Sequence, residues 1–308
     1  MRKKRIVRVV ALAATLATVL AFAPSAQARH LDQGARTACV ERPAQDLRGT
    51  KVRDQVKNTG GDQLTRLLRT DRALRAQAAA PWQVVTIPVY FHVIRRDTTA
   101  AGGNVTRAQI LEQIAVLNES FNGSTGGVWT GFRFELRGIT RLTSKQWFVL
   151  KGYGEEKAMK TALKEGGLDT LNIYSADLGN SLLGWAYLAE DAAAVGVFDG
   201  VVVHFQSLPG GGFGEYSEGD TATHEVGHWI DLLHTFQGGC EGPGDFVADT
   251  APEASPAFDC DPARDTCVGG GKDPITNFMD YTADPCMFEF TRGQTTRMRA
   301  AWLAFRAG

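Results

Sequence analysis

Beyond residue 23 the sequence has no apolar run of the length and purity a membrane-spanning helix needs, about 20 residues, so the body of the chain reads as soluble. It also lacks a basic surplus where a nucleic-acid binder would carry one. Of 33 Lys+Arg and 34 Asp+Glu, residues 1–80 hold 16 and 6, which leaves 17 and 28 for residues 81–308. That acidic body argues against a nucleic-acid partner and suits divalent cations or a basic partner segment, the chain's own N-terminus included. No internal repeat is visible. Histidine is scarce, at six in 308 residues, so a cluster of histidines carries information. Cysteine is scarcer still, at five, with four of them in the C-terminal quarter.

The one long apolar run sits at the start. Met1-Arg2-Lys3-Lys4-Arg5 is a charged opening, Val9 to Ala23 is apolar, and Ala26-Gln27-Ala28 is a small-x-small cleavage site. This is the pattern of a signal peptide over 1–28, cut after Ala28, rather than of a membrane anchor. The mature protein is expected to be secreted and extracellular, with no membrane partner. An oxidising destination fits Cys240, Cys260, Cys267 and Cys286, an even set that reads as two disulfides in any of three pairings. Cys39 is left over. Residues 29–80 are basic and poor in aromatics, with a short helical stretch around Gln63–Arg75 whose apolar face is Leu64, Leu67 and Leu68. That is too little for an independent core. The segment reads as a removable pro-segment, joined through an exposed linker over Ala76–Pro81 to a body spanning 81–308.

Downstream of Trp82, strands and helices alternate. Val84–Ile94 is rich in β-branched and aromatic residues and reads as a strand; Pro88 within it suits an edge, a bulge or a strand start. Thr106 caps a helix with Ile110, Ile114, Leu117 and Phe121 on one face. Phe132, Phe134 and Leu136 alternate with charged residues as a half-buried strand, and Glu155–Glu165 is a helix ended by Gly166-Gly167. Leu171–Tyr174, Leu182–Leu188 and Gly200–Phe205 are three more strands. From Gly238 to Asp284 the chain turns to Gly, Asp, Pro and Cys without periodicity. The expected fold class is α+β, a twisted sheet covered by helices.

The most informative stretch is Thr221-Ala222-Thr223-His224-Glu225-Val226-Gly227-His228-Trp229-Ile230-Asp231-Leu232-Leu233-His234. Residues four apart share a helix face, so His224 and His228 can both face one zinc ion. Glu225 then sits where it can activate the attacking water without ligating the metal. On an unbroken helix His234 would lie roughly 15 Å from His224, at 1.5 Å per residue. Zinc–nitrogen bonds of about 2.0–2.1 Å cannot span that. The helix must break before His234, and Asp231 is the natural point because Asp tolerates a left-handed conformation. Three neutral imidazoles leave a fourth position for water, whose proton Glu225 takes and hands to the leaving amine. His92 and His204 read as packed or hydrogen-bonded side chains instead.

This segment resembles the long zinc signature of the metzincin metallopeptidases, and Asn277-Phe278-Met279-Asp280-Tyr281 resembles their methionine turn. With Thr235-Phe236, the Cys-rich stretch, Leu171-Asn172-Ile173-Tyr174, Leu183-Gly184 and Asp199-Gly200-Val201-Val202-Val203, the chain is similar to the pappalysin family in particular, from about Ile87 onward. It departs at Asp231, where the metzincin pattern usually has glycine. The resemblance implies a metzincin-like zincin fold: a twisted, mostly parallel five-stranded sheet, two long helices above the cleft, and an irregular, disulfide-stapled lower subdomain. It implies Met279 as a hydrophobic floor under the metal, and Tyr281 as a hydroxyl stabilising the oxyanion. Substrate would pair with an edge strand carrying Gly184, Trp185 and Ala186. Cys39 would fill the open metal position until an activating protease cuts between about Arg75 and Trp82. The oxygen-rich loop with Asp245, Asp249 and Thr250 would hold calcium, and Cys240 would pair with Cys267, Cys260 with Cys286. Asp284 and Met287 would wall a pocket, with Asp284 favouring a basic residue.

The expected activity is that of a secreted zinc-dependent endopeptidase acting on protein or peptide substrates and made as a latent precursor. The alternative is a catalytically weak, zinc-bearing extracellular binding protein, to which Asp231 leaves room.

Overall fold

The computed structural model describes residues 63–179 and 182–308. The signal peptide expected over 1–28, Cys39 and the expected pro-segment as far as residue 62 lie outside the described residues.

The described chain opens with two short helices, α1 (Gln63–Thr70) and α2 (Arg72–Ala79), hinged at Asp71, whose carboxylate caps α2 by accepting from Leu74 N at 2.9 Å. The exposed linker expected over Ala76–Pro81 is corrected in part: the segment is exposed except at Ala78, but most of it is helical. Ala76–Ala79 complete α2, and Ala78 is buried with Leu64 and Leu74 against Ala300 and Ala301 near the far end of the chain. An alanine run is good helix material, and packing supplies the stability that so short a helix lacks on its own.

Five strands follow in the sequence, β1 (Val85–Arg95), β2 (Phe132–Thr143), β3 (Leu171–Ala176), β4 (Gly184–Ala186) and β5 (Val201–His204). They form one sheet in the order β2-β1-β3-β5-β4, parallel throughout except that β4 runs antiparallel to β5. β4 is shorter than the expected Leu182–Leu188, because the strand it pairs with spans four residues. Pro88 lies in an inner strand, yet β1 meets β3 only from Val89 onward and its register with β2 shifts between Val89 and Tyr90. The missing N–H therefore falls where the ladder is one-sided and bulged.

Strand alternation divides the core into two layers. Phe91 and Val93 of β1, Ile173 of β3 and Val203 of β5 face one side; Ile94, Tyr174 and Val202 face the other. The first layer is covered by α3 (Arg107–Asn122), through Ile110, Ile114, Leu117 and Phe121. Its start is a capping box between Thr106 and Gln109, and its end is Gly123 in the left-handed region at φ 75. The second layer is covered by α4 (Tyr153–Leu163), which buries Met159. Besides short helical turns at Lys145–Phe148, Ala192–Val195 and Trp302–Arg306, two longer helices follow: α5 (Asp220–Trp229), packed on the first layer beside α3, and α6 (Arg292–Ala301). Between them the chain is mostly irregular. Cys240 is bonded to Cys267 and Cys260 to Cys286, with Cα–Cα separations of 5.3 and 5.8 Å.

Candidate active site

Every residue of α5 is buried, and both of its ends are held from outside the helix. At the N-terminus Asp284 Oδ2 accepts from Glu218 N at 2.7 Å, Gly219 N at 3.1 Å and Asp220 N at 3.4 Å, satisfying amides that the helix leaves without internal partners. At the C-terminus Asp231 adopts φ 76. Leu232 N donates to Gly227 O at 2.9 Å and Asp231 N to His228 O at 2.7 Å. These two bonds make a Schellman turn with aspartate in the place glycine usually takes. The break expected at Asp231 is therefore where the helix ends.

The turn brings His234 back beside the helix. His228 Nε2 lies 3.1 Å from His224 Nε2 and 3.1 Å from His234 Nε2. Backbone carbonyls settle which ring nitrogens carry protons. His224 Nδ1 donates to Phe278 O at 2.6 Å and His228 Nδ1 to Leu232 O at 2.7 Å. A carbonyl only accepts, so each of these Nδ1 atoms is protonated and each Nε2 presents a lone pair. Lone pairs converging at this distance repel unless a cation lies between them. Tetrahedral zinc with bonds of about 2.05 Å separates its nitrogen ligands by about 3.3 Å. The three histidines form the only such cluster of three or more His, Cys, Asp or Glu among the described residues, and they fit a zinc ion.

The surroundings of the cluster are aromatic and apolar. His234 stacks on Phe236 at 4.6 Å, and Tyr281 meets both rings edge-on, its hydroxyl 3.3 Å from His234 Nε2. Met279 is fully buried beneath α5, so close that a Cβ at Gly227 would collide with its sulfur. The methionine turn is itself fastened to α6 by a reciprocal amide pair, Asn277 Nδ2 to Gln294 Oε1 at 2.8 Å and Gln294 Nε2 to Asn277 Oδ1 at 2.9 Å. Glu225 is buried with its carboxylate against β4: a Cβ built on Gly184 would lie 2.5 Å from Glu225 Oε1. Trp185 points to the opposite face, where its indole donates to Glu156 at 3.1 Å, and Glu156 pairs with Lys160 at 2.9 Å, both fully buried. A cleft of about 330 Å³ opens beside Glu225 and Tyr281, with Gly184, Asp284 and Met287 among its lining. Burial pushes the Asp284 carboxyl up to about 6, although three amides oppose the shift.

The oxygen-rich loop is arranged differently from a bare acidic turn. Asp245 is buried and accepts from Thr250 Oγ1 and from Val247 N at 3.0 Å, while burial raises its carboxyl to about 6. Asp249 turns towards α6, accepting from Thr291 Oγ1 at 2.8 Å and Gly293 N at 2.9 Å. His92 bonds to Asn172 at 2.9 Å and stacks on Tyr174, and His204 lies 3.4 Å from Asp177 and stacks on Phe205. Neither belongs to the histidine cluster, as their sequence context suggested. Sequence reasoning missed the Asp284 cap, the Glu156–Trp185 bond and the amide pair behind the methionine turn. Each joins residues 17 or more positions apart, and no local spacing announces it.

A family model described as peptidase M43, pregnancy-associated plasma protein-A, matches residues 211–303. An extracellular metalloprotease 1 of Coccidioides posadasii is 45% identical over 237 residues, 76% of this chain and 81% of that one. An extracellular metalloprotease of Sordaria macrospora is 42% identical over 237 residues, 75% and 78% of the two chains. Among solved structures, mature mirolysin of Tannerella forsythia with a cleaved peptide superposes with a TM-score of 0.62 at 31% identity, covering 71% of this chain and 92% of that one. Promirolysin of the same organism gives 0.68 at 30% identity and covers 87% and 94%.

Proposed function

This chain belongs to the peptidase M43 family of metalloproteases, the pappalysins, and from that premise we propose that it is an extracellular zinc endopeptidase whose general base is Glu225. The observation that carries the reading is the convergence of three imidazole Nε2 atoms beside a buried carboxylate that touches an edge strand. When bound, zinc supplies a Lewis acid that polarises the scissile carbonyl and lowers the pKa of water beside it. His224, His228 and His234 would hold it through Nε2, with their rings aimed by the carbonyls of Phe278 and Leu232 where Nδ1 donates.

Glu225 takes a proton from the attacking water and passes it to the nitrogen of the leaving amine. Tyr281, with its hydroxyl beside His234, donates to the oxyanion that develops on the carbonyl. β4 lies at the end of the sheet order, so an extended peptide can add to it as a further strand. A strand open along its length receives the middle of a chain, which favours endopeptidase action. Asp284 supports a preference for a basic side chain in the cleft, because it is an acidic residue in the cleft lining.

The precursor form rests on two supports. The body of the chain is acidic against a basic N-terminal portion, and promirolysin matches more of the chain than mature mirolysin does. We assign residues 29–80 to the pro-segment, with Cys39 as the ligand that keeps the enzyme latent and an activating protease cutting between Arg75 and Trp82. Ala80 and Pro81 lie exposed beyond the end of α2, where a cut needs no opening of that helix. Calcium at the loop of Asp245, Asp249 and Thr250 is proposed on its oxygen chemistry; calcium but not magnesium should then raise the melting temperature, and equal effects would remove it.

The deciding experiment is hydrolysis of a mixed peptide library by the mature protein and by Glu225→Ala, with zinc content assayed in both. Cleavage within peptides by the parent alone, with zinc in both, supports the assignment. Zinc in both and cleavage in neither would leave a zinc-bearing binding protein.

A further inference from the structure

We propose that Arg297 is a positioning residue for the metal site, holding Asp231 in the left-handed turn that aims His228 and His234. Glycine enters this backbone region freely; a residue with a Cβ does so less readily, and aspartate, although better tolerated than most, still gives up some stability there. Among the described residues only two that are not glycine have positive φ, Asp231 at 76 and Phe246 at 60. Both meet the same side chain. Arg297 Nη2 pairs with Asp231 Oδ2 at 2.9 Å, Arg297 Nε donates to Asp231 O at 2.7 Å, and the guanidinium lies 5.8 Å from the centre of the Phe246 ring. Asp231 Oδ1 accepts from Glu190 N at 2.9 Å. Asp231 is fully buried and Arg297 is 3% exposed, so neither charge is solvated and each relies on the other.

Strain of this kind persists only where its surroundings over-determine it. Arg297 grips the strained residue twice, by carboxylate and by carbonyl, and so fixes the plane of the turn. The next residue, Leu232, supplies the carbonyl that orients His228 Nδ1, and His234 follows two residues later. The guanidinium thus acts on two of the three histidines through one peptide segment. A glycine would need no such grip, so Arg297 matters because position 231 is aspartate.

This inference rests on the assignment of His224, His228 and His234 as zinc ligands. The test is zinc affinity of the full chain, by competition with a chromophoric chelator, together with the d–d spectrum of the cobalt-substituted protein. Arg297→Met should weaken zinc binding roughly 10- to 100-fold, the range for residues that orient ligands, and alter the cobalt spectrum. In the Asp231→Gly background the same Arg297→Met change should cost less than about 3-fold. Unchanged affinity in Arg297→Met, or an equal loss in both backgrounds, would overturn the proposal. If Arg297→Met fails to fold while Asp231→Gly/Arg297→Met folds and binds zinc, the proposal stands; if neither folds, Arg297 serves folding in general and the proposal falls. His234→Ala is the control: retention of zinc by that variant would refute the ligand assignment itself.

Discussion

At Gly184 a single methyl group measures how closely β4 approaches the general base. The Cβ of Gly184→Ala would sit 2.5 Å from Glu225 Oε1, so the carboxylate must shift. A displacement near 1 Å at a reacting group costs on the order of 10²-fold in rate. We expect kcat/KM of Gly184→Ala to fall about that much with zinc content unchanged; full activity would mean that Glu225 is not held there. If Tyr281 acts as proposed, Tyr281→Phe should lower kcat on the order of 10²- to 10³-fold and leave KM within a few-fold, measured on a defined peptide, because such a hydroxyl acts on charge that develops only in the transition state. At this scale the sequence was most legible where the chemistry is local. His224, Glu225 and His228 share one helix, and the break at Asp231 follows from a distance no zinc bond can span. Asp284 was legible only as a pocket wall, because its bonds to Glu218, Gly219 and Asp220 reach across more than 60 residues.

Among the elements, β4 has the least holding it, with three residues paired to β5 and nothing on its other edge in the sheet order. Its anchor is Trp185, whose indole bonds to Glu156 inside a fully buried ion pair with Lys160. Trp185→Phe keeps the ring and deletes the donor, leaving Glu156 one bond short in an apolar layer. The loss should destabilise the fold by about 1–3 kcal/mol, read as a lower denaturation midpoint. It should also raise KM for long peptides more than for dipeptide-length substrates. Equal effects on both lengths would separate β4 from substrate binding. Among the helices α3 was legible from its Thr106 cap and apolar face, and α4 and α5 from their patterns; α6 was not read from the sequence, and the single stretch expected around Gln63–Arg75 is two helices. The short strands were legible as apolar runs but not in length, since the partner strand sets where a ladder stops. Ala76–Pro81 misled because an alanine run suits both a linker and a helix, and only the facing Ala300 and Ala301 decide.

Across the whole molecule, charge burial sets a dependence on pH. Burial is the leading cause in raising Asp220 and Glu253 to about 8, Asp280 to about 7, and Asp245 and Asp284 to about 6. A carboxyl whose folded pKa exceeds its unfolded value of about 4 holds its proton more tightly in the native state. The stability it contributes is complete below that unfolded value and is lost as pH rises through the folded one. His204, lowered to about 4 by burial, works in the opposite direction between about 4 and 6.5. Between pH 6.5 and 8 the carboxyls of Asp220, Glu253 and Asp280 still act. We expect the melting temperature of EDTA-treated protein to fall between pH 6.5 and 8 in scanning calorimetry; a rise would show that these groups ionise with compensation. The two disulfides close loops of 27 and 26 residues, each restricting the unfolded chain by about 3–4 kcal/mol in the chain-entropy model. Fold class came through in the sequence because alternating strands and helices leave few architectures open. The arrangement of the buried charges did not, because it depends on which distant surfaces the sheet brings together.

The C-terminal end of α5 has a second guard. Arg306 Nε donates to Trp229 O at 2.7 Å, and its guanidinium lies 3.7 Å from the centre of the Trp229 ring. With Arg297 on Asp231, the end of the histidine helix is closed by residues that the ribosome adds more than 60 positions later. A chain emerging at roughly 5–20 residues per second therefore carries its histidines for several seconds before the parts that align them exist. The cell that makes this protease holds an unassembled blade until Arg297 and Arg306 have been translated.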